Sequence, residues 1–138
     1  MKELYEIEKY STADQNIFFT SDLHLGHQNI MKFCKRPFAT TEEMDEAIII
    51  NWNSVVGKDD IVFDLGDFAF ATNSKWKEYI TRLNGHHHLI LGNHDIARHP
   101  RDSTMELFES IHNQLLISID DRKVYLNHYP FLCYAGTF

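Results

Sequence analysis

Three short apolar runs set the frame of this chain: Ile17-Phe18-Phe19-Thr20, Ile61-Val62-Phe63-Asp64-Leu65 and His88-Leu89-Ile90-Leu91. Their length and their β-branched and aromatic content read as buried strands. Each ends in a tight polar turn: Asp22-Leu23-His24, Gly66-Asp67, and Gly92-Asn93-His94-Asp95. Between them the period changes to that of helices. Thr40 or Thr41 can cap a helix from Glu42 to about Val56, with Met44, Ala47, Ile48 and Trp52 at helical spacing and Gly57 as its stop. Asn73 or Ser74 can cap a second through Trp76, Tyr79, Ile80 and Leu83, closed by Asn84-Gly85.

Shorter signals fill the rest. A helical piece is expected over Asn29 to Cys34, stopped by Pro37, and another over Met105 to Ser110. Leu115 to Ile119 and Lys123 to Asn127, joined by Asp120-Asp121, read as a hairpin. Leu4, Tyr5 and Ile7 alternate weakly, as an edge strand would. Strands alternating with helices imply an α/β fold with a largely parallel sheet under helical cover. In such a sheet, groups closing successive strands meet at one edge.

Composition narrows the class. With 138 residues, 43% of them hydrophobic, the chain suits one domain with a substantial core. A net charge of −7 disfavours a broad nucleic-acid-binding face without excluding a local groove. Cys34 and Cys133 lack metal-pair spacing and suit reduced thiols. With no apolar leader in MKELYEIEKY and no membrane-length run, a cytoplasmic protein with no membrane partner is the expectation.

The turn residues carry the chemistry. Asp22, His24, Asp67, Asn93 and His128, the last following Val124-Tyr125-Leu126, form a mixed oxygen and nitrogen donor set. Such a set suits Mn²⁺, Fe or Zn²⁺ rather than a thiolate-seeking ion. Asp22 and His24, two apart, would face one side if the chain there is extended. A carboxylate such as Asp67 can bridge two ions roughly 3.5–4 Å apart, and His94 can then protonate a leaving oxygen. Taken singly, each element is also an ordinary turn, cap or surface histidine. Four strand ends delivering donors in order are what favour a metal site.

The same four segments, DLH, GD, GNHD and NHYP, closely resemble the calcineurin-like metallophosphoesterase superfamily. FFTSDLHLGHQNIMKFCKRPF is similar to a bacterial and phage subgroup of small phosphohydrolases within it, and the resemblance spans about Ile17 to Pro130. It implies a β-sandwich flanked by helices in four α/β/β/α layers and a phosphomonoester or phosphodiester substrate. Two divalent ions are implied, Mn²⁺ first, with Fe or Zn²⁺ as alternatives. Asp22, His24 and bridging Asp67 would serve one ion, and Asp67, Asn93 and His128 the other. His94 matches the catalytic histidine, and Asp95 is placed beside it as a residue orienting neighbouring groups. His27 and Arg36 are candidates for the substrate side.

The family's Gly-His-x-His segment has no counterpart before Phe138. A single domain lacking its last strands, with each metal sphere short of one ligand, is therefore expected. The apolar stretch from Pro130 should then lie exposed. A non-catalytic scaffold for protein partners is a competing reading, but it would be expected to lose His94 or Asp67. A nuclease of the same superfamily is a third, disfavoured by the acidic balance and the lack of a basic, aromatic-interleaved stretch. His86-His87-His88 is read as strand entry, since neighbours on a strand alternate faces and cannot share an ion. His99 and His112 are expected at the surface, and Trp52, Trp76 and Tyr79 in core packing.

Overall fold

The computed structural model describes residues 7–98 and 101–133. Among these residues, seven strands form two sheets. Strands β2 (Ile17–Thr20), β3 (Ile61–Asp64), β4 (His86–Ile90) and β5 (Ser110–His112) lie side by side in that order, all parallel. Strand β1 (Glu8–Tyr10) pairs in parallel with β6 (Gln114–Ile119), which pairs antiparallel with β7 (Arg122–Asn127). Ile119 faces Arg122 across a two-residue turn in which Asp120 and Asp121 both have positive φ. That geometry matches the right-handed twist of the flanking strands.

Period-two alternation splits the core in two. Phe63 and Ile90 of the parallel sheet point towards Ile117 and Leu126 of the other sheet, with Tyr10 edge-on to Phe63 at 5.4 Å. The opposite face of the parallel sheet, through Leu89, packs with Ile49, Trp76, Tyr79, Ile80, Leu83 and Phe108. These come largely from α2 (Thr41–Val55) and α3 (Asn73–Arg82). Of the layers expected for a calcineurin-like sandwich, the described residues thus build helix, sheet and sheet.

Caps explain where the helices start. Thr40 accepts the Glu43 N–H at 3.1 Å, and the Glu43 carboxylate accepts the Ala39 N–H at 2.9 Å. This is close to a capping box, worth about 1 kcal/mol. The α3 cap differs from expectation. Thr72 takes the position without a side-chain bond to the helix backbone, and Asn73 instead accepts the Arg101 N–H, capping α5 (Asp102–Met105) from outside. That helix is shorter than the sequence suggests, because Ser110–His112 is drawn out as β5 along the open edge of β4. His112 is therefore half-buried in a sheet rather than at the surface, while His99 lies outside the described residues.

The histidine trio sits within β4 and alternates as expected. His86 meets Glu109 at 2.9 Å, and His88 stacks on Phe63 at 4.8 Å on the inter-sheet side. His87 faces the helices, stacked on Trp52 at 5.6 Å, with Nε2 3.2 Å from the Leu83 carbonyl. Burial lowers its pKa, so the unfolded chain binds the proton more readily. The stability His87 contributes is then fully present above its ordinary pKa and is lost as pH falls below it. His87→Gln should cost about 1–2 kcal/mol at pH 7.5. The gap from wild type in urea midpoints should narrow by pH 5.5; a gap that widens on acidification would contradict this assignment.

Beyond β7, Tyr129, Phe131 and Leu132 are exposed. The expected Leu4-Tyr5 edge and Tyr134 to Phe138 fall outside the described residues.

Candidate metal centre

Four loops at the carboxyl ends of β2, β3, β4 and β7 converge, and backbone hydrogen bonds lock the first two together. The Asp22 N–H donates to the Gly66 carbonyl at 2.9 Å, His24 N–H to Asp67 at 2.9 Å and Leu25 N–H to Phe68 at 3.0 Å. Continuing the parallel pairing past the strands in this way brings Asp22 and His24 beside Asp67. The geometry is not the extended one expected. Asp22, His24 and Asp67 have φ of 57°, 53° and 57°. The left-handed kinks turn the side chains into one space, where strand alternation would fix them by period alone. Such conformations cost of order 1 kcal/mol each for non-glycine residues and cluster at functional sites.

Close backbone approach sets the rest. A Cβ on Gly66 would lie 2.6 Å from the Gly92 nitrogen and 2.8 Å from His128 Nδ1, and one on Gly92 would overlap the Asp67 carboxylate. Only glycine at both positions lets the β3 and β4 turns touch. Asp95 fastens them. Its carboxylate accepts N–H groups from Asp67 at 2.7 Å, Phe68 at 3.1 Å and Gly92 at 2.9 Å. Burial pushes its pKa up against the pull of those donors. The resemblance implies that Asp95, next to the catalytic histidine, orients neighbouring groups. Its carboxylate is turned inward and almost fully buried, holding the turns in place rather than facing a substrate.

Asp67 is the hub. Its Oδ1 accepts the His94 N–H at 2.9 Å. Its Oδ2 lies 3.7 Å from His24 Nε2, 3.7 Å from His128 Nε2 and 3.9 Å from His94 Nε2. Asp22 Oδ1 is 3.6 Å from His24 Nε2. These separations exceed hydrogen-bond lengths. They approach the roughly 3–3.5 Å between two donors that each sit about 2.1 Å from one ion. His24, Asp67 and His94 form one group whose donor atoms lie within 4.8 Å of one another, and Asp22, Asp67 and His128 form another.

The hydrogen bonding at His128 tests whether a cation fits. Its Nδ1 lies 2.7 Å from the Leu65 carbonyl, so that nitrogen carries the proton. Its Nε2 faces Asp67 Oδ2 at 3.7 Å and Asn93 Oδ1 at 3.3 Å. An imidazole nitrogen, a carboxylate and a carboxamide oxygen converging in this way are a donor set that fits a divalent ion. At His24 the other ring nitrogen, Nδ1, lies 3.2 Å from His27 Nδ1. Donation from His24 Nδ1 leaves Nε2 free towards the two carboxylates, and burial lowers the pKa of both rings.

Two expectations for the substrate side change. His27 is buried behind His24 rather than lining a cleft. Arg36 donates from NH1 to the Leu23 carbonyl at 2.7 Å and from NH2 to the Asp22 carbonyl at 2.8 Å. Its guanidinium holds the ligand-bearing loop instead of reaching out from it.

The buried Asp64 carboxyl was not singled out from sequence. It accepts the Gly66 N–H at 2.9 Å, and burial pushes its pKa well above the usual range. Its place as the polar last residue of an apolar strand was the available signal. A cavity of about 650 Å³ adjoins these loops on the side of Asp95, lined also by Leu91, Ile96, Arg101, Asp102, Met105 and Asn113.

A family model described as calcineurin-like phosphoesterase matches residues 15–137. The chain belongs to the calcineurin-like phosphoesterases. It is 46% identical over 83 residues to an uncharacterized protein of Methanocaldococcus jannaschii, covering 59% of this chain and 47% of that one. It is 41% identical over 88 residues to the gene 66 protein of Mycobacterium phage L5, covering 62% and 42%. The chain thus spans about half the length of the curated relatives it matches. A protein of unknown function from Aquifex aeolicus shares its fold, with TM-score 0.66 and 30% identity over 83% of this chain and 60% of that one. In this calcineurin-like chain no helix among the described residues is long and apolar enough to cross a membrane.

Proposed function

We propose that this chain carries the metal centre of a phosphoesterase that hydrolyses a phosphomonoester or phosphodiester. The observation behind this reading is Asp67 Oδ2 standing among three imidazole Nε2 atoms at 3.7–3.9 Å. Asp22, His24 and Asp67 would hold one divalent ion and Asp67, Asn93 and His128 the other; the donor set suits Mn²⁺, Fe or Zn²⁺, and Mn²⁺ is the first candidate. Bound there, the ions supply a clamp on the phosphate and a water of lowered pKa. His94 protonates the leaving oxygen, its backbone N–H anchoring Asp67 meanwhile. Asp95 and Arg36 keep the loops in register. The two exposed free cysteines suit the reduced cytoplasm, where we place the protein.

The test is hydrolysis of bis-p-nitrophenyl phosphate and p-nitrophenyl phosphate with and without Mn²⁺. Metal-dependent release of nitrophenolate from either is expected. Two bound ions with no turnover of either ester would point instead to a non-catalytic scaffold.

His27 bears on metal retention. If it fixes the His24 tautomer, His27→Ala should weaken Mn²⁺ binding about 10–100-fold, the usual effect of losing a partner that orients a ligand. A Mn²⁺ titration giving wild-type affinity would mean that His24 is oriented by something else.

A further inference from the structure

Arg98, the last residue of α4 (Asn93–Arg98), lies with its guanidinium carbon 3.3 Å from the centroid of the Phe70 ring. The same ring stacks on His27 at 4.3 Å and meets His94 edge-on at 5.6 Å. Two flat groups that close to one ring take its two faces, so Arg98, Phe70 and His27 form a stack beside the leaving-group histidine. A cation at a helix C-terminus is favourable in itself, but the dipole does not require it to lie flat on an aromatic face. Stacking fixes the planar fork and leaves its edge N–H groups free to donate.

The charge balance makes the arrangement notable. Carboxylates outnumber lysines and arginines by 20 to 13, and Arg82 and Lys75 are paired with Glu46 and Glu78. Arg98 is exposed, and no carboxylate among the described residues pairs with it. Arg36, the other arginine near the centre, is committed to backbone carbonyls.

We propose that Arg98, held on Phe70, is a specificity residue that binds a second anionic group, carboxylate or phosphate, on a substrate whose ester phosphate sits at the metal centre. This rests on the phosphoesterase reading. The preferred substrate is then a phosphate ester with another negative group a few bonds away. A guanidinium fork receives such a group bidentately.

Binding of three non-hydrolysable probes to the Mn²⁺-loaded protein, measured by calorimetry, tests this. Butylphosphonate has one anionic end; 4-phosphonobutyrate adds a carboxylate and butane-1,4-bisphosphonate a second phosphonate. Wild type should bind at least one two-ended probe about tenfold more tightly than butylphosphonate. Which one is tighter distinguishes a carboxylate-bearing from a phosphate-bearing substrate. Arg98→Gln, an exposed change, should bring the probes within about twofold of each other. Equal wild-type affinities overturn the proposal, as does a preference that survives Arg98→Gln. Because no turnover is needed, an Arg98-dependent preference without ester hydrolysis would uphold the anion site and reject the phosphoesterase reading.

Discussion

Asp67→Asn should abolish two-metal occupancy and, with it, metal-dependent hydrolysis. Two divalent ions roughly 3.5–4 Å apart repel each other by about 4 kcal/mol even at the dielectric constant of water. The carboxylate between them is the group placed to offset that. Asn also inverts the hydrogen bonding. With its oxygen kept on the His94 N–H, its amide nitrogen takes the place of Oδ2 and donates towards the imidazole nitrogens that converge there. Asn tolerates the left-handed φ of 57° at this position, so the turn should survive where Ala would add strain. Metal analysis after dialysis should fall from two ions per chain to one or none, with the melting temperature of the metal-free protein little changed. Two retained ions would remove Asp67 from the bridging position.

His94→Ala should slow hydrolysis of alkyl phosphate esters by about 10²–10⁴-fold, the range for loss of a general acid. The substitution spares the backbone N–H that holds Asp67 and removes a ring packed 5.2 Å from His24 and 5.6 Å from Phe70. Nitrophenyl esters, whose leaving group needs little protonation, should lose much less. The ring Nε2 is 3.9 Å from Asp67 Oδ2, within one of the two donor groups. Metal content after dialysis therefore decides between roles. An ion lost along with the rate, equally for both ester types, would make His94 a ligand and not an acid.

Several of these residues were legible because local chemistry announces them. The runs at Ile17, Ile61 and His88 form parallel strands, since short apolar segments bounded by polar turns have few other ways to bury themselves. The Thr40 cap and the Asp120-Asp121 turn follow from backbone groups a few residues away. Donors at the ends of those strands meet because parallel strands in register bring like ends together.

Other features depend on partners distant in sequence, and no window of residues contains them. Ser110–His112 is a strand only because β4 offers an unpaired edge. Arg36 and Asp95 carry side chains typical of a reacting site, yet both serve backbone groups, Asp95 reaching back 28 residues to the Asp67 N–H. The left-handed kinks at Asp22, His24 and Asp67 are imposed by hydrogen bonds between loops, so spacing alone suggested an extended geometry that is not there. By itself the sequence determined the strand frame, the order of the donors and the family pattern, because these reside in local period and composition. The tertiary structure alone decided which nitrogen of each imidazole faces Asp67 and which charged groups turn inward. It also placed a free guanidinium on an aromatic ring beside the centre. Each of these outcomes is set by contacts between segments that the chain brings together only by folding.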